Sequence, residues 1–415
     1  MVGVETGEPG EGPLAGLRVV EVSTFVAAPL GGMTLAQLGA DVIRVDPIGG
    51  APDHTRWPLA PSGVSLYWTG LNKGKRSLCA DLRSPEGREL VTRLITESGP
   101  DGGIVLTNAT GRSWLSGETL AERRPDLIHL QITGHRDGGA AVDYTVNAAV
   151  GFPLVTGPEG HAEPVNHVLP AWDIACGLYA ALGILAAERR RRATGEGRLM
   201  RVALHDVALA MAGNLGFLAE AQVNGVNRPR LGNHLYGGFG RDFVTRDGHR
   251  LMVVALTARH WRDLVEATGI GEAVAALERA LNADFSAEGD RYAYREVLAG
   301  LVGRWFAEHD LARIEERLRG ASFLWSRYRT FTDLVGEGGG ELRANPLMAV
   351  VDQPGVGPYL APGSPIAALP DASRTVVRAP VLGEHTGEIL RGLGLNEDKI
   401  ADLRARGVVF APQEV

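Results

Sequence analysis

Between residues 17 and 204 the sequence alternates short apolar runs with stretches of helical period, and this alternation limits the possible fold more than any other feature. Residues 17–22 (LRVVEV) are β-branched and of strand length. Residues 30–38 read as a helix closed by Gly39, and residues 42–45 open the next strand. Residues 77–82 are strand-like again. A helix follows with Ser84 as N-cap, Pro85 at its first position and Leu90, Leu94 and Ile95 on one side. Residues 104–106 and 127–132 are further strands, with a helix near 119–124 between them. The pattern predicts an α/β fold, a Rossmann-like doubly wound and mostly parallel sheet with helices on both faces.

A long helix should run from about Trp172 to Arg192, striped by Ile174, Leu178, Leu182 and Leu185 and ended by Gly195. A strand (199–204) and an apolar helix (206–223) follow. Asn224-Gly225 begins a Gly-, Asn- and Arg-rich region with helices near 258–268 and 311–319. The expected organisation is a flexible tail (1–13), a large Rossmann-like domain (14–224) and a smaller α+β domain (225–345). A return segment and C-terminal helix (346–415) should complete the large domain.

Composition removes several function classes. Net charge is −7, from 42 basic and 49 acidic side chains, and no basic tract exceeds residues 189–192. Nucleic acid is therefore not an expected partner. No run approaches the ~18–20 uninterrupted apolar residues of a membrane span. The first fifteen residues lack a basic and an apolar region, so no secretory signal is read there and a cytoplasmic location is expected. Two cysteines, Cys79 and Cys176, exclude a disulfide framework and a four-cysteine zinc site. Lysine occurs three times, and two fall in Lys73-Gly74-Lys75, just before Arg76. A glycine-flanked basic cluster in a loop suits a phosphate, or is a solvated basic turn.

The familiar motifs are missing. The first strand is followed by Ser23-Thr24-Phe25-Val26-Ala27-Ala28-Pro29, not by G-x-G-x-x-G, so a nicotinamide dinucleotide is not expected. The P-loop and the G-x-S-x-G elbow are absent as well. His129, His135 and His167 lack metal-ligand spacing, and no metal is expected. Two features stay open. Asp173 stands at the start of the long helix, where an aspartate is either a plain N-cap or a carboxylate kept ionised by the helix N-terminus. Tyr236-Gly237-Gly238-Phe239-Gly240 is either a hairpin turn or a mobile lid.

Several segments together resemble the family III CoA-transferases. These are Gly16-Leu17-Arg18-Val19-Val20-Glu21, Ala28-Pro29, Leu38-Gly39-Ala40-Asp41-Val42-Ile43, Asn72-Lys73-Gly74-Lys75-Arg76-Ser77, Thr194-Gly195-Glu196-Gly197, His205-Asp206-Val207 and Leu382-Gly383-Glu384-His385-Thr386. The resemblance runs from about residue 14 to the end. It implies that Asp173 is the catalytic nucleophile, acylated and then thioesterified, and that Gly237 and Gly238 form a loop that covers it. It implies CoA contacts at Val26, Ala27, Lys75, Arg76, Asn108 and Ala109. The chain departs from the pattern at Pro47 and Ser116, where relatives carry arginines, and Arg112 is a substitute for the latter.

Within the family, Tyr144-Thr145-Val146-Asn147, residues 166–173 and the Tyr236 loop look closest to members that move CoA between the C1 and C4 carboxyls of mesaconate. The implied partner is thus an acyl-CoA thioester of a small dicarboxylic acid. CoA would enter as part of the substrate, with no permanently bound cofactor. Arg136, Tyr144, Asn147 and Tyr236 are candidates for the second carboxylate, although each could equally be structural. Intermolecular transfer between two acids uses the same nucleophile and is the main alternative. Racemisation is disfavoured because Val142 stands where racemases of the family carry a histidine. The resemblance also implies an interlocked homodimer.

Overall fold

The computed structural model describes residues 12–336, 339–366 and 376–412. Most of the expected tail, residues 1–11, and residues 367–375 and 413–415 of the return segment lie outside the described residues. The chain divides into two compact units. One comprises residues 1–150, 168–218 and 340–415, the other 151–167 and 219–339. The boundaries expected near 224 and 345 fall a few residues from these crossings. The excursion at 151–167 carries no compositional signal.

The first unit is built in chain order from β1 (Arg18–Val22), α1 (Ala27–Ala36), β2 (Asp41–Asp46), α2 (Leu66–Leu71), β3 (Arg76–Ala80), α3 (Pro85–Thr96), β4 (Ile104–Thr107), α4 (Gly117–Arg123), β5 (Ile128–Thr133) and α5 (Asp143–Ala149). After α6 (Phe152–Val155), which belongs to the second unit, come α7 (Ala171–Thr194), β6 (Arg198–Ala203) and α8 (Leu204–Asn214). The second unit then contributes β7 (Phe239–Val244), β8 (Arg250–Ala255) and β9 (Leu324–Arg327). The chain returns to the first unit with the hairpin β10 (Met348–Gln353) and β11 (Gly357–Pro362) and the short β12 (Val409–Phe410).

The main sheet has seven strands in the order β12-β3-β2-β1-β4-β5-β6. Its six long strands are parallel, and only β12 runs antiparallel, pairing Val409 with Ala80. Order reverses between β1 and β4, so the loops after these strands flank the crevice where an open α/β sheet holds its ligand. Val20, Val22, Ile43, Val45, Leu78 and Val105 point to one face, where they join α3, α4 and the C-terminal helices in one core.

The other face holds α1 and α7. α1 is apolar nearly all round (AAPLGGMTLA) and buried on most of it. It meets α7 backbone to backbone: a Cβ on Gly177 would lie 2.5 Å from the Ala27 carbonyl oxygen, and one on Gly31 would lie 2.9 Å from that of Gly177. This crossing fixes the first turn of α7 over the carboxyl end of the sheet. α7 has the length and hydropathy of a membrane span, with 39% of its apolar window buried in this chain, but its last turns carry four arginines. Leu178, Tyr179 and Leu182 leave an exposed apolar side.

In the second unit, β7, β8 and β9 form an antiparallel sheet covered by helices. Its core is aromatic: Phe239 and Trp261 meet edge to face with centroids 5.0 Å apart, and Phe243 stacks on Phe306 at 5.0 Å. The expected helices at 258–268 and 311–319 are present as Ala258–Thr268 and Leu311–Leu318. The three-stranded sheet supplies the β part of the expected α+β domain, although the sequence pattern does not locate its strands.

Candidate active site

Pro170 caps α7, and Asp173 sits in its first turn. An aspartate there ordinarily gains from the unpaired amides of the helix start. Here another side chain takes them. Oδ2 of Asp143, in the first turn of α5, accepts from the amide of Trp172 at 2.8 Å and from that of Asp173 at 3.1 Å. Trp172 is itself locked, its indole N–H donating to Oδ1 of Asn147 at 3.0 Å.

The Asp173 carboxyl is half-buried, and burial together with the neighbouring charge of Asp143 pushes it up to about 7, against a smaller pull from Arg56. The helix N-terminus, expected to keep Asp173 ionised, therefore does not hold it in the ordinary carboxylate range. Burial also pushes the Tyr67 hydroxyl up to about 12, so it stays protonated beside Asp173 and Arg56. Cys176, one turn further along α7, is held up to about 12 by burial and by Asp173, and is inert as a thiol near neutral pH. A carboxyl with a pKa near 7 is half ionised at neutral pH. It is also more basic, hence more nucleophilic, than an ordinary aspartate.

The loop after β1 frames the same corner. Phe25 has φ of 67°, rare for a non-glycine residue, and its amide donates to Oδ2 of Asp53 at 3.0 Å. The guanidinium of Arg56 lies over the rings of Phe25 and Tyr67, at 5.3 and 5.2 Å. Asn108, expected to touch CoA, instead clasps Thr24: its Oδ1 accepts from the Thr24 amide at 3.0 Å and its Nδ2 donates to the Thr24 carbonyl at 2.8 Å. It shapes the crevice with both ends of its amide in use. Val26 and Ala27 are buried at the start of α1.

The basic cluster around Gly74 turns inward. Nζ of Lys75 is wholly buried and donates to Glu21 at 2.9 Å, to the Pro29 carbonyl at 2.8 Å and to Oδ1 of Asn72 at 2.8 Å. These are all three donors of an ammonium group, and none is left for a phosphate. A Cβ on Gly32 would strike Glu21 at 1.7 Å, which is why α1 carries a second glycine there. Arg76 pairs with Asp41 at 3.1 Å and with Glu388 at 3.0 Å. Lys73 is buried too, donates to the Gly70 carbonyl at 2.5 Å, and is lowered to about 8 by burial. The expected phosphate cradle is thus a structural knot beneath the crevice. Arg44 completes it: no part of its side chain is exposed, and it pairs with Asp46 and Asp53, each at 3.0 Å. Burial works against its charge, but Asp46, Asp53 and Glu21 outweigh that and hold it above its ordinary value.

Ala109 and Arg112, by contrast, line a cleft of about 530 Å³ between the loop after β4 and the edge of β5 and β6, with Ser116, His129, Gln131 and Arg201. His129 bonds the Leu115 carbonyl at 3.0 Å and burial lowers its pKa, so it is a neutral core histidine. Of the carboxylate candidates, Arg136 is exposed and paired with Asp206 at 2.7 Å, while Asn147 is buried and accepts from Trp172. Tyr144 is exposed. Tyr236 belongs to the second unit, where its hydroxyl bonds Glu220 and Arg228 covers its ring at 4.1 Å. Gly237 and Gly238 form the turn there, closed by the Leu235 amide on the Gly240 carbonyl at 2.8 Å. Sequence reasoning missed Asp143, Arg56 and Tyr67. Asp143 stands beside the valine that argues against a racemase, yet a lone aspartate gives no sign of its partner 30 residues away. Among the described residues no group of three or more His, Cys, Asp or Glu could hold a metal.

The chain is 51% identical over 97% of its length to 2-methylfumaryl-CoA isomerase of Chloroflexus aurantiacus, covering 99% of that protein. It is 30% identical over 94% of its length to succinyl-CoA:mesaconate CoA-transferase of Haloarcula hispanica, again covering 99%. Among solved structures, a CaiB/BaiF family protein from Brucella suis superposes with a TM-score of 0.74 at 27% identity, over 92% of this chain and 99% of that one. The profile of CoA-transferase family III matches residues 14–386, and the chain belongs to that family.

Proposed function

We propose that the protein is an intramolecular CoA-transferase that interconverts the C1 and C4 CoA thioesters of mesaconate (2-methylfumarate), with Asp173 as nucleophile. The observation that carries this reading is the 51% identity, end to end, to a 2-methylfumaryl-CoA isomerase. A half-buried, unusually basic carboxyl at the carboxyl end of the sheet supplies the chemistry.

The Asp173 carboxylate attacks the C1 thioester carbonyl, the C–S bond breaks, and CoA leaves as its thiolate from a mixed anhydride. The thiolate attacks the aspartyl carbonyl, giving an aspartyl-CoA thioester and free mesaconate. The acid turns over within the site, and its C4 carboxylate attacks the aspartyl thioester, whose C–S bond breaks to expel CoA thiolate and leave a second anhydride. Returning thiolate attacks the C4 carbonyl, releasing mesaconyl-C4-CoA and regenerating the Asp173 carboxylate. No net proton, electron or water is consumed. Asp173 must be ionised to start, so the reaction requires its deprotonated half.

CoA would lie over the loops after β1 and β4, its phosphates toward the cleft that holds Arg112 and Arg201. We also read the chain as a homodimer. Leu178 and Leu182, about half and three-fifths exposed one turn apart on α7, support a covering partner.

The test supplies mesaconyl-C1-CoA with no added acid. Appearance of the C4 isomer, without label from added labelled mesaconate, is the expected result. Rapid incorporation of label would instead establish intermolecular transfer, the activity that the Haloarcula relative's name describes. Asp173→Ala should abolish both.

A further inference from the structure

We propose that Arg56 is the anchor for the carboxylate that the substrate leaves free, so that it selects dicarboxylic thioesters. The inference rests on the CoA-transfer reading above and names the group that recognises the acid.

Three observations converge on this side chain. Its guanidinium is exposed but not loose, since it lies over the faces of Phe25 and Tyr67. Such stacking holds a cation in place without using its N–H donors. Among the described residues no carboxylate lies within ion-pair distance of it, whereas the other arginines of the corner are committed: Arg44 to Asp46 and Asp53, Arg76 to Asp41 and Glu388, Arg136 to Asp206. It lies 5.2 Å over the ring of Tyr67, and its charge lowers the pKa of both Tyr67 and Asp173, so it belongs to the same corner as the proposed nucleophile.

The platform is maintained at a cost. Phe25 keeps a left-handed backbone, and the buried Asp53 carboxylate fixes it by accepting its amide at 3.0 Å while also binding Arg44. A planar fork without a hydrogen-bond partner among the described residues is free to match a carboxylate bidentately. When Asp173 attacks one carboxyl of a C5 diacid, the other lies a few bonds away, and after the acid turns over the same arginine meets the opposite end. A CoA phosphate is the less fitting occupant, because the length of the pantetheine arm separates the phosphates from the thioester carbon that Asp173 must reach.

The test compares two thioesters in the full-length enzyme: mesaconyl-C1-CoA, and the same compound with its C4 carboxylate methylated. The readout is CoA thiol release in the presence of hydroxylamine, which traps acylated Asp173 and needs no second carboxylate. The unsubstituted enzyme should prefer the diacid in kcat/KM by roughly 10- to 100-fold. Arg56→Gln should erase that preference by lowering the diacid value and leaving the methyl ester within about twofold, and Arg56→Lys should restore part of it. The ratio within one variant does not depend on how much of it is folded. A ratio unchanged in Arg56→Gln, or an equal loss on both thioesters, overturns the inference while leaving CoA transfer standing. Failure of the unsubstituted enzyme to be trapped by either thioester overturns both.

Discussion

Oδ2 of Asp143 accepts from the backbone amide of Asp173 at 3.1 Å, so a second carboxylate holds the helix start beneath the proposed nucleophile. Its other bond, from the Trp172 amide, takes the remaining forward-facing donor of that turn. The arrangement removes the amides that would stabilise an Asp173 anion and adds a negative charge beside it. Arg56, Tyr67 on α2 and Cys176 on α7 itself also interact electrostatically with Asp173. Among the described residues that shift Asp173, Arg56 alone favours the ionised form.

Asp143→Asn keeps an oxygen to accept from both amides but removes the charge. The acid limb of kcat/KM, expected near pH 7 in the unsubstituted enzyme, should then move down by roughly one pH unit. The pH profile of C1-to-C4 interconversion between pH 5 and 9 reads this directly. A limb that stays in place would mean that burial alone sets the basicity of Asp173.

Asp173 should also govern how stability varies with pH. Its folded pKa, about 7, lies above the ordinary value of 3.8, so the native state binds the proton more tightly than the unfolded chain. That contribution is complete below about pH 4 and is lost as pH rises through 7. Asp173→Asn, which cannot ionise, should therefore gain on the unsubstituted protein at high pH. The gain should be larger at pH 8 than at pH 4 by about 2–4 kcal/mol, the lower end reflecting the water that still reaches the carboxyl. Urea unfolding at the two pH values measures it.

The backbone crossing of α1 and α7 makes Gly177 intolerant of any side chain. An added methyl would sit 2.5 Å from the Ala27 carbonyl oxygen, and neither helix can yield without moving the first turn of α7. Gly177→Ala should cost about 1–3 kcal/mol of stability. Because Asp173 lies one turn away, turnover should fall in the protein that still folds. Thermal unfolding and kcat measured on the same preparation separate the two losses.

Arg44 balances three buried carboxylates at the end of β1 and β2. Arg44→Met conserves much of the volume but leaves Asp46 and Asp53 facing each other without a cation. A loss of about 3–5 kcal/mol is expected, because charges already stripped of water lose their partner. Denaturant unfolding checks it. The triple variant that adds Asp46→Asn and Asp53→Asn to Arg44→Met should recover part of the loss.

The layered sheet was legible because its signals are local. Ser84 caps its helix by accepting from the Gly87 amide at 3.0 Å, Pro85 fills the next position, and Gly195 ends α7 in the left-handed conformation. The β-branched runs of β1, β2 and β4 are buried on both faces and so read as strands without alternation. The fate of Lys75 could not be read, since its partner Glu21 is 54 residues away and a charge in sequence does not declare which way it points. The same holds for Asp143 and Arg56. Each acts through a tertiary neighbour, and neither belongs to a motif with fixed spacing.

The exposed side of α7 yields the last expectation. Leu178 and Leu182 stand one turn apart, and Tyr179 lies beside them, on a helix whose opposite side is packed against α1 and β5. Leaving these side chains in water forfeits about 1.5–3 kcal/mol for each leucine that a partner could bury. A second copy of the chain would cover them, and a mass of 2 × 44.1 = 88.2 kDa follows. Leu182→Glu places a charge in that seam without touching Asp173, Arg56 or the buried knot. Light scattering at micromolar concentration should show an 88.2 kDa species for the unsubstituted chain and its loss in the variant. An unsubstituted chain that stays at 44.1 kDa under the same conditions would leave the apolar side of α7 without this partner.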